Sequence, residues 1–339
     1  MGIYVTCIPG VISHEVNNPS TFECGETLHL ASCVGCLNPP CMYFSEDELK
    51  LSDKRLKNFP SDVDRSVCPL GAITWESGDK VPKVVGEKCI NCGICARRCP
   101  FGAIYSNGNS AVIHSGEKEV DFRSISQHTE EVHYKQMGKF KDCSHVGRFL
   151  EVNEDSFDVL YGKLSHFQNT SPQMPNLIVR NLLMVVGNKC IISRRGMVYI
   201  RIDAIIDDGS VLGIAEVEFN NELLDAPRAI LDDIAVLSSR YEIGRNEIKP
   251  FVISLAFPNI RSEYWQVIQD ISKVLDVEIH SLTFGALCSI NWLFGNARIS
   301  DIQCYADKDN PSIRQGIKAL CPQCELPGPD SRGIFEPGK

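Results

Sequence analysis

The run Cys89-Ile90-Asn91-Cys92-Gly93-Ile94-Cys95-Ala96-Arg97-Arg98-Cys99-Pro100 decides the reading of the first third of the chain. Three thiols spaced by two residues wrap one face of a metal centre from a tight loop. A fourth, closed by proline, is carried away by the turn of the chain. A matching set lies upstream, with Cys33, Cys36 and Cys41 followed at a distance by Cys68-Pro69. The tails repeat as well: Cys68-Pro69-Leu70-Gly71-Ala72-Ile73-Thr74 stands against Cys99-Pro100-Phe101-Gly102-Ala103-Ile104-Tyr105. Two cysteine motifs with matching tails mark an internal repeat.

On these residues the stretch 30–105 resembles a bacterial-type ferredoxin domain with two 4Fe-4S clusters. The resemblance implies crossed ligation: Cys33, Cys36, Cys41 and Cys99 on one cluster, and Cys89, Cys92, Cys95 and Cys68 on the other. Zinc is the alternative occupant of such thiolates, and the Cys-Pro-x-Gly-Ala-Ile pattern at each fourth cysteine favours iron–sulfur. One feature departs from a compact ferredoxin. Residues 42–67 form a charged insertion between the third and fourth cysteines of the first half, and Ser45-Glu46-Asp47-Glu48-Leu49 reads as a capped helix start.

The chain has 339 residues, enough for about two domains. Hydrophobic residues at 43% and charged residues at 23% are those of a globular protein with a sizeable core. The 34 basic and 43 acidic residues leave a net charge of −9, which argues against a general binder of polyanions but allows a local basic face. Sixteen cysteines without a secretory leader pattern point to metal-bound thiolates in a reducing cytoplasm rather than to disulfides. No apolar run is long enough to span a membrane, so no membrane association is expected.

The expected architecture is a multidomain α+β and α/β chain. Residues 1–110 form the small ferredoxin-like domain and residues 111–170 a connector with one or two helices. Residues 171–295 form a mixed-sheet domain, and 296–339 a cysteine-containing tail. Within the third region the pattern predicts a helix over 176–186, strands over 197–206 and 211–219 around a turn at 207–210, and a helix over 223–241. That helix would bury Leu224, Ile230, Ile234 and Leu237 on one side. A strand over 251–257, a helix over 262–275 and a strand over 277–284 complete the order α–β–β–α–β–α–β.

The hairpin carries acidic residues. Glu216 and Glu218 share one side of their strand because side chains alternate with period two, and Asp203 on the paired strand can join them. Hard oxygen ligands of this kind suit Mg²⁺ or Mn²⁺. Residues 171–290 resemble the PD-(D/E)XK nuclease superfamily, the restriction-endonuclease-like fold, on the order of elements and on Arg201-Ile202-Asp203 and Ile214-Ala215-Glu216-Val217-Glu218-Phe219. The resemblance implies hydrolysis of DNA phosphodiesters, with Asp203, Glu216 and Glu218 as metal ligands and Glu218 assisting as base. Glu218 stands where the motif has lysine, and the preceding helix offers no carboxylate. Under the bland reading the three acids are solvent-facing residues of a half-exposed hairpin.

Cys321-Pro322-Gln323-Cys324 has a metal-knuckle spacing, and with Cys304 and Cys143 it would make a third site, zinc or iron–sulfur. Cys190 and Cys288 lie in apolar surroundings and read as buried thiols; Cys7 and Cys24 are unassigned. Two function classes follow: a metal-dependent nuclease whose clusters are structural or redox-sensing, or an electron-transfer protein with a redox partner, whose second domain is a non-catalytic docking or nucleic-acid-binding module.

Overall fold

The fold is described from a computed structural model that covers residues 33, 35–36, 38–79, 81–99, 102–114, 148–167, 171–197, 199–200, 202–220, 223–301, 305–307, 309–320, 322, 324–328 and 332–338. The internal repeat folds as a repeat. Gly71 and Gly102 adopt left-handed backbone at φ +61° and +68°, a conformation open to glycine at little cost. Each donates its N–H to the carbonyl of the cysteine three residues before it, at 3.0 and 3.2 Å. The chain then enters a strand at Ile73 and again at Ile104. Strand β1, Ile73–Thr74, pairs antiparallel with β2, Lys83–Val84, and β3, Ile104–Ser106, pairs antiparallel with β4, Ala111–Ile113. The short helix α1, Ile94–Arg98, sits between the two hairpins.

After α2, Glu154–Leu164, and α3, Met174–Val185, the chain builds a five-stranded sheet in sequential order. Its strands are β5, Lys189–Ile191; β6, Ala204–Asp207; β7, Leu212–Glu218; β8, Ile248–Ser254; and β9, His280–Thr283. The first three are antiparallel, and β7, β8 and β9 run parallel. Helices α4, Ala226–Tyr241, and α5, Glu263–Leu275, make the parallel crossovers. Helix α6, Phe284–Trp292, follows β9 directly, and α7, Arg314–Leu320, lies near the C-terminus.

Alternation along the strands splits the apolar residues between two layers. Ile205, Leu212, Ile214 and Val252 pack with Ile230, Ile234 and Leu237 of α4 and Ile268 and Ile271 of α5. Ala204, Ile206, Ala215, Val217, Phe251 and Ile253 face the other way, onto α3 and α6. That second layer continues without interruption into the cysteine-rich segment, through Ile90, Ile94, Ala96 and Ala103. The repeat and the sheet therefore share one core.

The structure differs from the sequence expectations in several places. The strand expected over 197–206 runs only over Ala204–Asp207, so Asp203 precedes it, and helix α6 after β9 is an addition to the expected order. Leu224 precedes helix α4 and is 40% exposed rather than buried. The sheet has an additional edge strand, β5, because the short stretch Lys189–Ile191 pairs with Ile205–Asp207 despite its small size. The Ser45 capping box forms, with Ser45 N–H donating to Glu48 at 2.7 Å and Glu48 N–H to Ser45 Oγ at 3.3 Å, but it closes only a turn. The C-terminal stretch is packed: Ile313, Ile317, Ile334 and Phe335 are at most 1% exposed. Thr283 Oγ1 donates to the Ile334 carbonyl at 2.6 Å, and Ile313 N–H to that of Phe335 at 3.0 Å.

The insertion has a structural task. Its stretch 60–62 pairs with the chain just beyond β5: Asp62 N–H donates to the Ile192 carbonyl at 2.9 Å and Arg194 N–H to that of Pro60 at 2.8 Å. Leu56 and Phe59 enter the α4–α5 layer. A sheet edge that would otherwise offer unpaired backbone groups is thereby covered.

The C-terminal anchor can be tested by truncating its ring. Phe335→Ala is expected to lower stability by about 3–5 kcal/mol, read as a lower urea midpoint at unchanged slope.

Candidate functional site

The cysteines gather in two groups. Burial raises the Cys41 thiol well above its ordinary range, and the neighbouring Cys99, Cys33 and Cys36 raise it further. Cys99 has thus returned across the repeat to the group begun by Cys33 and Cys36. In the second group, burial raises Cys68, Cys92 and Cys95, with added repulsion between Cys92 and both Cys68 and Cys89, and between Cys95 and all three. Cys95 also feels Cys41, so the groups adjoin. Thiols crowded in low dielectric resist becoming thiolates unless positive metal ions compensate them.

Local backbone aims N–H groups at the sulfurs. Ala72 donates to Cys68 Sγ at 3.3 Å and Ala103 to Cys99 Sγ at 3.4 Å, the same bond in each repeat. Ala111 donates to Cys89 Sγ at 3.3 Å. Gly35 and Asn91, each just before the second cysteine of a group, both have φ +62°. Asn91 holds this strained conformation through bonds from Nδ2 to Ser106 Oγ at 2.9 Å and to the Gly108 carbonyl at 3.2 Å.

Arg98 ties the first group together. Its Nε donates to the Pro40 carbonyl at 2.6 Å and its Nη2 to that of Tyr43 at 3.3 Å, on both sides of Cys41. The guanidinium lies 4.0 Å over the Phe44 ring and pairs with Glu48 at 2.7 Å. Burial works to raise the Glu48 carboxyl, but Arg98 and Ser45 hold it below the ordinary range.

Side chains from the sheet region grip the second group. Asn181 of α3 donates to the carbonyls of Ser66 and Val67 at 2.9 and 3.0 Å, just before Cys68. Asn291 donates to that of Cys92 at 2.9 Å, and the Trp292 indole to that of Asn91 at 3.0 Å. Lys163 of α2 donates to the carbonyls of Gly86, Cys89 and Asn109. At Gly93 a Cβ would stand 2.7 Å from Phe149 and 3.1 Å from Asn291, so only glycine admits this approach.

The acidic residues come together as well, in a buried place. Asp203 Oδ1 accepts from Asn176 at 2.6 Å and Oδ2 from Val217 N–H at 3.0 Å. Burial raises the Asp203 carboxyl, and Glu218 adds to this. Burial, then Asp203 and Asp233, push Glu216 up to about 10. Burial also raises Asp233, on α4, to about 7; its Oδ2 is buried without a hydrogen-bond partner. Glu218 Oε1 accepts from Asn220 N–H at 2.7 Å. The three predicted acids are each half-buried, and Asp233 beside them is 5% exposed. Asp233 was missed, although a carboxylate beside Ile230 and Ile234 in an apolar helix face is a readable signal.

Among the described residues, no three His, Cys, Asp or Glu side chains converge on a point that could hold one metal ion. The thiol groups need not do so, because each thiolate of a 4Fe-4S cluster binds a different iron. Convergence on a single ion is, however, what the acidic cluster would need for metal-assisted hydrolysis. Of the third predicted site, Cys143, Cys304 and Cys321 lie outside the described residues; Cys324 is half-buried against the core. Cys190 and Cys288 are fully buried, as expected.

Comparison with known proteins identifies residues 82–105 as a 4Fe-4S binding domain. A selenate reductase subunit of Mesobacillus selenatarsenatis is 26% identical over 117 residues, 33% of this chain and 32% of that protein. An uncharacterized ferredoxin of Methanocaldococcus jannaschii is 33% identical over 73 residues, 22% of this chain and 32% of that protein. A sulfite dehydrogenase subunit of Allochromatium vinosum is 32% identical over 93 residues, 26% of this chain and 29% of that protein. The chain thus spans about a third of the length of these relatives. No solved structure matches. The chain is an iron–sulfur protein related to ferredoxin-like subunits of reductases and dehydrogenases. No described helix is long and apolar enough to cross a membrane.

The buried acids make stability depend on pH. The native carboxyls of Glu216 and Asp233 bind protons more tightly than the ordinary values of 4.5 and 3.8. Their contribution is complete below about pH 4 and drains away as pH rises through 7 towards 10. Glu216→Gln is expected to gain on the order of 1–3 kcal/mol over the wild type at pH 8 and little at pH 4, measured by urea unfolding at both.

Proposed function

We propose that this protein transfers electrons through two 4Fe-4S clusters, one held by Cys33, Cys36, Cys41 and Cys99 and the other by Cys68, Cys89, Cys92 and Cys95. The observation that carries this reading is the gathering of the eight thiols into two crossed groups, with Cys33, Cys68 and Cys92 half-buried and the other five buried. When bound, each cluster accepts and returns one electron without making or breaking a bond. The chain's own residues supply the rest. Ala72, Ala103 and Ala111 direct N–H groups at ligand sulfurs, which favours the more negative, reduced state. Ile90, Ile94 and Ala103 keep water from the groups.

The α/β region is read as a non-catalytic body that braces the ligand loops and docks to a redox partner. Strand β5 stands before the hairpin, so the order of elements departs from the α–β–β–α–β–α–β on which the nuclease resemblance rests. The acidic cluster instead holds protons: Glu216 and Asp233 lie against each other, and among the described residues no three acids converge on one ion. The selenate reductase and sulfite dehydrogenase subunits are components of oxidoreductases by name, in keeping with a redox partner for this chain.

Anaerobically purified protein is expected to contain about eight iron and eight sulfide per chain and to give electron paramagnetic resonance signals from reduced clusters. Cys68→Ala should remove about half of the iron and one of the signals. Colourless, iron-free protein would overturn the reading. In a parallel assay with Mg²⁺ or Mn²⁺, plasmid DNA is expected to stay intact; cutting that Glu216→Ala abolishes would restore the hydrolytic reading.

A further inference from the structure

Lys163 stands on the last turn of α2, outside the cysteine-rich segment, yet it is built into that segment's surface. Its three ammonium protons go to three backbone carbonyls: Gly86 at 3.1 Å, Cys89 at 3.1 Å and Asn109 at 2.6 Å. A lysine has three donors, so the cage is complete. Gly86 and Cys89 bracket the approach to the ligand loop. Asn109 lies in the β3–β4 turn, two residues before the N–H that reaches Cys89 Sγ.

No carboxylate pairs with this ammonium among the described residues. The contrast with the other thiol group is direct. There the adjacent cation is Arg98, and Glu48 neutralises it at 2.7 Å. Among the described residues, one group thus faces a cation paired with a carboxylate and the other a cation held by carbonyls alone. The repeat does not explain the difference, because Lys163 comes from a helix that has no counterpart in it.

We propose that Lys163 tunes the reduction potential of the cluster bound by Cys68, Cys89, Cys92 and Cys95, raising it above that of its companion. The inference rests on the two-cluster reading. Reduction adds one electron and no proton, so the site becomes more negative, and a fixed positive charge nearby favours the reduced form. The electron enters from a one-electron donor protein and leaves to a one-electron acceptor protein. With the potentials ordered in this way, it moves within the chain from the Cys33 side to the Cys89 side. Lys163 is a positioning and charge residue; it does not itself carry the electron.

The test is a redox titration of the anaerobic holoprotein followed by electron paramagnetic resonance, with iron counted in every sample. Wild type is expected to show two separated midpoints. Lys163→Gln should move one of them to more negative potential by about 59 mV, a tenfold change in the ratio of reduced to oxidised cluster for one electron, and leave the other in place. Lys163→Arg should restore it. Asn109→Asp, at an exposed position, adds an opposing charge without removing the cage, and should move the same midpoint in the same direction. Should Lys163→Gln not retain full iron, the Asn109→Asp titration decides alone. Unmoved midpoints in iron-replete variants would overturn the proposal, and so would an Arg variant shifted as far as the Gln variant. Wild-type protein without eight irons would instead overturn the two-cluster reading beneath it.

Discussion

The loops of the second cysteine group are held from outside their own segment. They are short, rich in turns and carry several inward-facing carbonyls, and the groups that satisfy those carbonyls arrive from far along the chain. Asn291 and Lys163 donate to the carbonyls of Cys92 and Cys89, and Asn181 and Trp292 to those just before Cys68 and Cys92. A buried carbonyl without a donor costs more than a formed bond contributes, so these contacts hold the loops to the sheet region. Gly93 shows how close the fit is, since a single methyl there would collide with Phe149.

This arrangement explains why the cysteine-rich segment departs from a compact ferredoxin. The insertion, which metal binding alone does not require, pairs with the edge beyond β5 and sends Leu56 and Phe59 into the sheet's far layer. The segment is fastened on both sides of the sheet. What looks like a small module joined to a larger one shares, in packing terms, one core, with the second cysteine group beside Asn181 of α3 and the C-terminal end of α6.

The repeat was legible because its chemistry is local: proline, glycine and alanine at fixed offsets from cysteine force the same turn twice. The helices α3, α4 and α5 were legible from apolar spacing and caps, as with Ser262 accepting from Tyr264 N–H at 3.3 Å. Strand β5 was not, since three residues carry too little pattern and its pairing depends on a partner about fifteen residues away. Nor were Lys163 and Trp292. A lysine near the end of an amphipathic helix and a tryptophan in an apolar run are ordinary in sequence, and only tertiary packing gives them a role. The grouping of the acids was legible from strand alternation, but their covering by α4 was not, because alternation tells which residues share a side and not which helix packs over it.

The long sequence separation of these braces bears on how the protein is made. The last of the eight cysteines, Cys99, leaves the ribosome well before α3 and long before Asn291 and Trp292. Until α6 has emerged and docked, the second group lacks the bonds from Asn291 and Trp292, while the first group already has Arg98, Glu48 and Phe44 around it. The two groups therefore reach their final surroundings at different stages of synthesis, the first group before the second.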